Sequence, residues 1–235
     1  MKMQIPDMDS YRAQIDGTYR EKFRAFYEIL TEFNQKYNLT SIKEEPAVYE
    51  KHFLDSVAGE YLFPANASVV EIGSGAGFPS LPLKIIRPDL RFTLVESVGK
   101  KCAFLRAAVE RLGITDVSIL NGRAEDFAKD GQYREKFDCC TARAVAEMRI
   151  LAEYCLPFVR VGGKMIAYKG DAAEEIARAE NALGQLGAKL SGVAEYKLYG
   201  YTGEESVRTL AVACKERATP AKYPRGNGME RKKPL

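Results

Sequence analysis

Large apolar side chains recur at helical spacing between Tyr19 and Tyr37: Tyr19, Phe23, Phe26, Tyr27, Leu30, Phe33 and Tyr37. That stripe predicts an amphipathic helix docked by its aromatic face on a larger body. Asn38-Leu39-Thr40-Ser41 breaks it, and a shorter helical pattern follows through Val48, Phe53, Leu54 and Val57. Pro64-Ala65-Asn66 then punctuates a boundary.

Beyond residue 66 the pattern changes period. Short apolar runs at Val69–Gly73, Arg91–Glu96, Val117–Leu120, Phe137–Thr141 and Lys164–Tyr168 read as strands. Between them lie helical stretches: one opened by Pro79 and Pro82 and reaching Ile86, then Lys100–Leu112, Glu147–Phe158 and Ala172–Leu186. Alternating strand and helix predicts an α/β fold, a mostly parallel sheet with helices on both faces. Two last strand-like runs, Leu190–Leu198 and Thr209–Cys214, predict a hairpin that adds an antiparallel edge. The expected organisation is a helical extension over 1–66, an α/β domain over 67–216, and a tail over 217–235. Rich in Pro and Gly, the tail is expected to be extended and mobile.

In such a sheet, ligands gather beyond the carboxyl ends of the strands, so the residues closing each strand carry the chemistry. The first strand ends at Glu71 and runs into Gly73, Gly75 and Gly77, a loop that lets a ligand lie against bare backbone. A dinucleotide fingerprint wants another glycine where this chain has Phe78. The ring argues against a pyrophosphate and for an adenosine-bearing ligand without phosphates, S-adenosylmethionine. Glu96 closes the second strand 23 residues beyond Gly73, near the offset of a ribose-binding acid. After the third strand, small Ala124 admits a base and Glu125 can accept from its amine or cap the next turn. The fourth and fifth strands deliver Arg143 and Lys169 to the same rim, two cations that core packing does not explain.

Net charge is only +3, but it is unevenly spread. Residues 1–66 carry 8 Lys/Arg against 11 Asp/Glu, 67–170 carry 16 against 12, and 215–235 carry 7 against 2. Basic charge on the α/β domain and tail suits a polyanionic substrate. Arg208, Lys222 and Arg225 join Lys169 as candidate RNA contacts. Five cysteines without C-x-x-C spacing fit a reduced protein, and one histidine gives no support to a metal centre. No apolar stretch reaches bilayer length, and the N-terminus lacks the shape of a signal peptide. His52 reads as a hydrogen-bonded scaffold residue beside Asp55, or as part of an RNA surface.

A joint pattern is more specific than any of these alone. Asn38-Leu39-Thr40, His52-Phe53-Leu54-Asp55-Ser56, Glu71-Ile72-Gly73-Ser74-Gly75-Ala76-Gly77-Phe78-Pro79, Arg123-Ala124-Glu125, Thr141-Ala142-Arg143-Ala144, Lys169-Gly170 and Thr219-Pro220…Lys222-Tyr223-Pro224-Arg225 occur in one order. In this the chain resembles the small-subunit ribosomal RNA guanine-N7 methyltransferases, also called the glucose-inhibited division protein B family, over nearly its full length. The resemblance implies a Rossmann-like class I methyltransferase with a seven-stranded sheet, a monomeric cytoplasmic enzyme using S-adenosylmethionine on 16S rRNA or the small ribosomal subunit. It implies cofactor contacts at Gly73, Phe78, Ala124, Glu125 and Arg143, and no metal. Glu71 and Glu96 stand where many relatives have Asp. Guanine N7 has an in-plane lone pair and no proton to lose, so in-line methyl transfer needs no general base. Arg143 and Lys169 are the candidate catalytic residues, and the tail is expected to bind RNA and be removable without affecting the cofactor. Competing readings are a methyltransferase acting on protein or a small molecule, a non-catalytic ribosome- or nucleotide-binding module, and an NAD-dependent oxidoreductase.

Overall fold

The computed structural model describes residues 3–4, 6–200 and 203–235. Four helices precede the sheet: α1 (Met8–Asp16), α2 (Arg20–Tyr37), α3 (Glu45–Val48) and, after a π-helical stretch Tyr49–Leu54, α4 (Asp55–Val57). The first of these was not among the predicted elements. Its residues are mostly polar, and its one sequence signal is Asp7, whose side chain caps the helix by accepting from the Ser10 N–H at 3.0 Å. In α2, Phe23, Phe26 and Leu30 of the predicted stripe are buried, with Ile29 beside them, and Asn38 ends the helix in the left-handed conformation.

The sheet and its helices then alternate: β1 (Ser68–Ile72), α5 (Ser80–Ile86), β2 (Arg91–Glu96), α6 (Gly99–Arg111), β3 (Val117–Asn121), α7 (Ala124–Phe127), β4 (Phe137–Arg143), α8 (Met148–Cys155) and β5 (Val159–Lys169). The predicted Ala172–Leu186 helix is two, α9 (Ala173–Arg178) and α10 (Glu180–Gln185), divided by a tight turn at Ala179. A long hairpin, β6 (Ala188–Tyr199) and β7 (Glu205–Lys215), completes a seven-stranded sheet of order β3-β2-β1-β4-β5-β7-β6. Strands β3, β2, β1, β4 and β5 pair in parallel, while β7 runs antiparallel to β5 and β6 and brings the hairpin onto the sheet's edge.

Period-two alternation assigns each strand residue to a face. Val69, Phe92 and Leu94 meet α2, α5 and the π-helical stretch in one core, whereas Val70, Ile72 and Val95 join α8, α9 and α10 in the other. Cys139 and Cys140 are buried as packing residues on opposite faces.

The tail departs from expectation: it is packed rather than extended. Arg134 donates to the Thr219 carbonyl at 2.8 Å and the Tyr223 carbonyl at 2.9 Å. Glu135 accepts from the Thr219 N–H at 2.7 Å, and the Tyr223 hydroxyl donates to Gln185 at 2.8 Å. Glu153, a fully buried acid on α8, takes the Arg225 guanidinium in a bidentate pair at 2.6 and 2.9 Å. The tail ends in a short helix, α11 (Met229–Lys232). Pro220 and Pro224 lower the entropy of the unfolded tail, which reduces the ordering cost that its buried polar anchors must offset, whereas Gly226 and Gly228 act the other way.

Candidate functional site

Because β1 lies between β2 and β4, the connections leaving it and β4 diverge, and a crevice opens at their carboxyl ends. Gly73, Gly75 and Gly77 all have positive φ, and the loop is tied down by the Gly73 and Ser74 N–H groups donating to the Val95 carbonyl. Glu96 organises it further. One carboxylate oxygen accepts from the Gly75 N–H at 2.9 Å and the other from the Val98 N–H at 2.8 Å. Each oxygen keeps a lone pair for a ligand hydroxyl.

A first cleft follows, walled by Gly73, Val95, Ala124, Glu125, Val145 and Tyr154, with Arg231 reaching it from the tail. Gly73 is open to it, and a Cβ there would come within 2.8 Å of the Val145 side chain. Gly73→Ala is therefore expected to cost about 1–2 kcal/mol from backbone strain alone and to narrow the cleft. Thermal melting and titration with S-adenosylhomocysteine check it; unaltered affinity would place the ligand elsewhere. Gly77, by contrast, is buried and leaves room for Leu81 and Leu105.

Phe78 turns away from this cleft. Its ring stacks on His52 with centroids 4.5 Å apart and meets Phe26 at 5.6 Å, so it fastens the glycine loop to the helical extension. The ring that in the sequence argues against a pyrophosphate is a core residue, 6% exposed.

A second cleft adjoins the first. Lys51, His52, Asp55, Arg143, Lys169 and Arg208 surround it. The two meet at the turn after β4: Ala144, held at a positive φ of 57°, lines the second, and Val145 lines the first. A non-glycine residue held there is backbone strain placed at the junction.

The helical extension builds one wall of this second cleft, and its buried polar groups form one chain. Asn34 pins Thr40 by donating to its carbonyl and accepting its N–H. The Thr40 hydroxyl lies 2.8 Å from His52 Nε2, and Arg143 Nη2 lies 2.9 Å from His52 Nδ1. A guanidinium can only donate, so Nδ1 is the acceptor and Nε2–H donates to Thr40. Burial, with the charge of Arg143 second, lowers the His52 pKa to about 3 and keeps the ring neutral. Arg143 Nη1 also donates to Asp55 at 2.8 Å and to the Lys51 carbonyl at 3.0 Å, and its guanidinium lies 5.0 Å from the Phe78 ring centroid. Asp55 accepts from Tyr196 at 2.8 Å and faces Arg208 Nε at 3.5 Å. The π-helical stretch carries His52 into this cleft and α4, which continues from it, carries Asp55, a common placement for such local helical irregularities.

Of the residues singled out in the sequence, Gly73, Ala124 and Glu125 line the first cleft, with Glu96 behind the loop. Arg143, Lys169 and Arg208 are brought together in the second. Lys169 is largely covered, its ammonium donating to the Ala146 carbonyl at 2.6 Å and pairing with Glu175. Lys222 is exposed above the Tyr223 ring. Arg225, expected on an RNA face, is instead consumed by Glu153, because a buried carboxylate must find a cation. Sequence reasoning missed Glu153, Tyr154 and Arg231. An acid inside the apolar run Leu151–Leu156 was the one available signal, and its partner lies 72 residues away. Among the described residues no cluster of three or more His, Cys, Asp or Glu is placed to hold a metal, and no helix is long and apolar enough to cross a membrane.

A family model described as rRNA small subunit methyltransferase G (GidB) matches residues 19–198. The ribosomal RNA small subunit methyltransferase G of Lactobacillus delbrueckii subsp. bulgaricus is 45% identical over 233 residues, 97% of this chain and 96% of its own. Among solved structures, the cofactor-bound Rv0187 from MTB is similar with a TM-score of 0.58 at 17% identity, over 92% of this chain and 100% of that one. An O-methyltransferase from Bacillus cereus in complex with SAH gives 0.54 at 18% identity, over 80% and 90%. At such identities the structural likeness establishes the fold, a Rossmann-like methyltransferase sheet.

Proposed function

Since the chain belongs to the ribosomal RNA small subunit methyltransferase G family, we propose that it methylates N7 of a guanine in the decoding-region loop of 16S rRNA, with S-adenosylmethionine as donor. One observation carries this reading: two clefts of opposite character share the Ala144–Val145 junction. The first offers the exposed Gly73 backbone and the small Ala124, with Glu96 behind the glycine loop beside them, which suit a ribose and a flat base. The second gathers Lys51, Arg143, Lys169 and Arg208 against the carboxylates of Asp55 and Glu175, which suits a phosphate-bearing nucleotide.

When bound, S-adenosylmethionine supplies an electrophilic methyl group on a sulfonium. The chain's own residues then have to position. Glu96 and the Ala124–Glu125 pair hold the nucleoside, and the Ala144–Val145 turn separates donor from acceptor. Arg143, immobilised by Asp55 and the Lys51 carbonyl, retains N–H donors for guanine O6 or a flanking phosphate while leaving N7 free. His52, neutral and already hydrogen-bonded on both ring nitrogens, holds Arg143 and takes no proton. Guanine N7 has none to give, so alignment does the chemistry, an effect worth roughly 7–11 kcal/mol of barrier. The target base has to be unpaired or extruded to present its Hoogsteen edge.

The test is methyl transfer to small subunits from cells lacking the enzyme, with the product nucleotide mapped by mass spectrometry. A single 7-methylguanine in the decoding region supports the proposal; methylation of ribosomal protein or of another base atom rejects it. RNA affinity is also expected to fall with salt, the logarithmic slope shrinking by about 0.7 for each phosphate-binding cation removed. Arg208→Ala is the variant to measure. An unchanged slope would take Arg208 out of the RNA surface.

A further inference from the structure

Arg231 of the first cleft is supplied by the tail, far in sequence from the strands, helices and loops that form the other walls. Its position is built rather than incidental. Glu153, without exposure on α8, receives both the Arg225 guanidinium and the Arg225 backbone N–H, the latter at 2.8 Å. The chain then turns at Gly226, whose N–H donates to the buried Glu230 carboxylate, and enters α11. This carries Arg231 back to Tyr154, the neighbour of Glu153 in sequence, and Arg231 Nη2 reaches the Val145 carbonyl at 3.4 Å. Successive residues of α8 thus anchor the tail and face the cleft.

The place and chemistry of Arg231 define what it meets. Arg231 hydrogen-bonds the Tyr154 side chain, and Tyr154 lines the cleft together with Ala124 and Glu125, the pair proposed above to hold the nucleoside. The apolar side chains of Ile72, Val95 and Val145 line the same cleft, walls suited to a flat ring. A guanidinium is planar and weakly hydrated, and it stacks on aromatic faces where an ammonium does not. The geometry points to Arg231 as the closing wall of the adenine end, its plane laid on the purine and its position fixed by the docked tail. This rests on the methyl-donor reading above. It also reverses the expectation that the tail serves RNA alone, since truncating it would open the cofactor pocket.

Calorimetric titration of the full chain with S-adenosylhomocysteine and, separately, with adenosine tests it, using the wild type, Arg231→Ala and Arg231→Lys. Arg231→Ala is expected to weaken both ligands by about threefold to tenfold, the range between an exposed and a desolvated cation–π contact. Arg231→Lys, keeping charge without the plane, should recover only part of that loss, and the melting temperature of the unliganded variants should stay within a few degrees of wild type. If the wild type binds neither ligand, the methyl-donor reading itself fails. If the wild type binds both and Arg231→Ala matches it, Arg231 has no part in the pocket. A loss confined to S-adenosylhomocysteine, with adenosine unaffected, would put Arg231 at the amino-acid end and overturn the adenine assignment.

Discussion

Asp55→Ala is expected to destabilise the protein by roughly 3–5 kcal/mol, the range for removing one partner of a buried ion pair, and to abolish most turnover. Asp55 is 3% exposed and binds three groups from two distant parts of the chain: Arg143 at 2.8 Å, and Tyr196 at 2.8 Å and Arg208 at 3.5 Å, which face each other across the β6–β7 hairpin. Without it, Arg143 is left in a mostly covered site whose other partners are a carbonyl and a neutral imidazole. The loss is then desolvation without compensation, which exceeds the worth of the contact itself. Asp55→Asn separates stability from alignment, since it still accepts from Tyr196 but no longer neutralises Arg143. Its turnover should fall roughly tenfold to a hundredfold, as small displacements of a positioning group do, while S-adenosylhomocysteine binding in the first cleft stays near wild type. Urea unfolding of Asp55→Ala, Arg143→Ala and the double variant supplies a thermodynamic cycle. Strictly additive losses would mean the pair does not act as a unit.

The second large effect concerns Glu71, fully buried at the end of β1, with neither carboxylate oxygen in a well-formed hydrogen bond. Burial drives its pKa up from 4.5 to about 8, against smaller opposing effects of Ser80 and Arg143. Below about pH 4.5 the folded and unfolded chains both hold this proton. Between about 4.5 and 8 the unfolded chain releases it while the folded chain retains it, so stability falls as pH rises. The total cost, fully present above pH 8, is roughly 5 kcal/mol at 1.36 kcal/mol per unit. His52 acts with the opposite sign. Its pKa is lowered from 6.5 to about 3, so its contribution is present above pH 6.5 and lost as pH falls toward 3. Between about 4.5 and 6.5 the two slopes cancel, leaving a plateau with losses on either side. Glu71→Gln should remove the alkaline loss, raising stability at pH 8–9 and changing it little near pH 4. Urea midpoints measured across pH give the answer. A wild-type slope persisting between pH 6.5 and 8 in Glu71→Gln would assign the alkaline loss to another group.

Local patterns determined a good deal. Short apolar runs along β1, β2 and β4 located buried strands, because a sheet covered on both faces needs apolar residues at nearly every position. The glycine loop was legible for a backbone reason: positive φ and close approach leave few residue types to choose from. Glu96, Ala124 and Glu125 followed, since their places depend on where strands end. Arg143 and Lys169 were found at strand tips by the same rule.

The tertiary structure alone decided what those residues touch. Nothing near Arg143 announces Asp55, 88 residues earlier, and nothing near Arg225 announces Glu153. Phe78 read as a cofactor neighbour because its sequence neighbours are glycines, whereas the helical extension claims its ring. The Pro/Gly-rich tail read as mobile because composition reports the entropy of the free chain and is silent about buried anchors waiting on α8. Short-range order is written in periodicity and turn chemistry, which each segment carries by itself. Ion pairs, ring stacks and docking arise between segments far apart in sequence, and which of them form is settled only when the whole core closes.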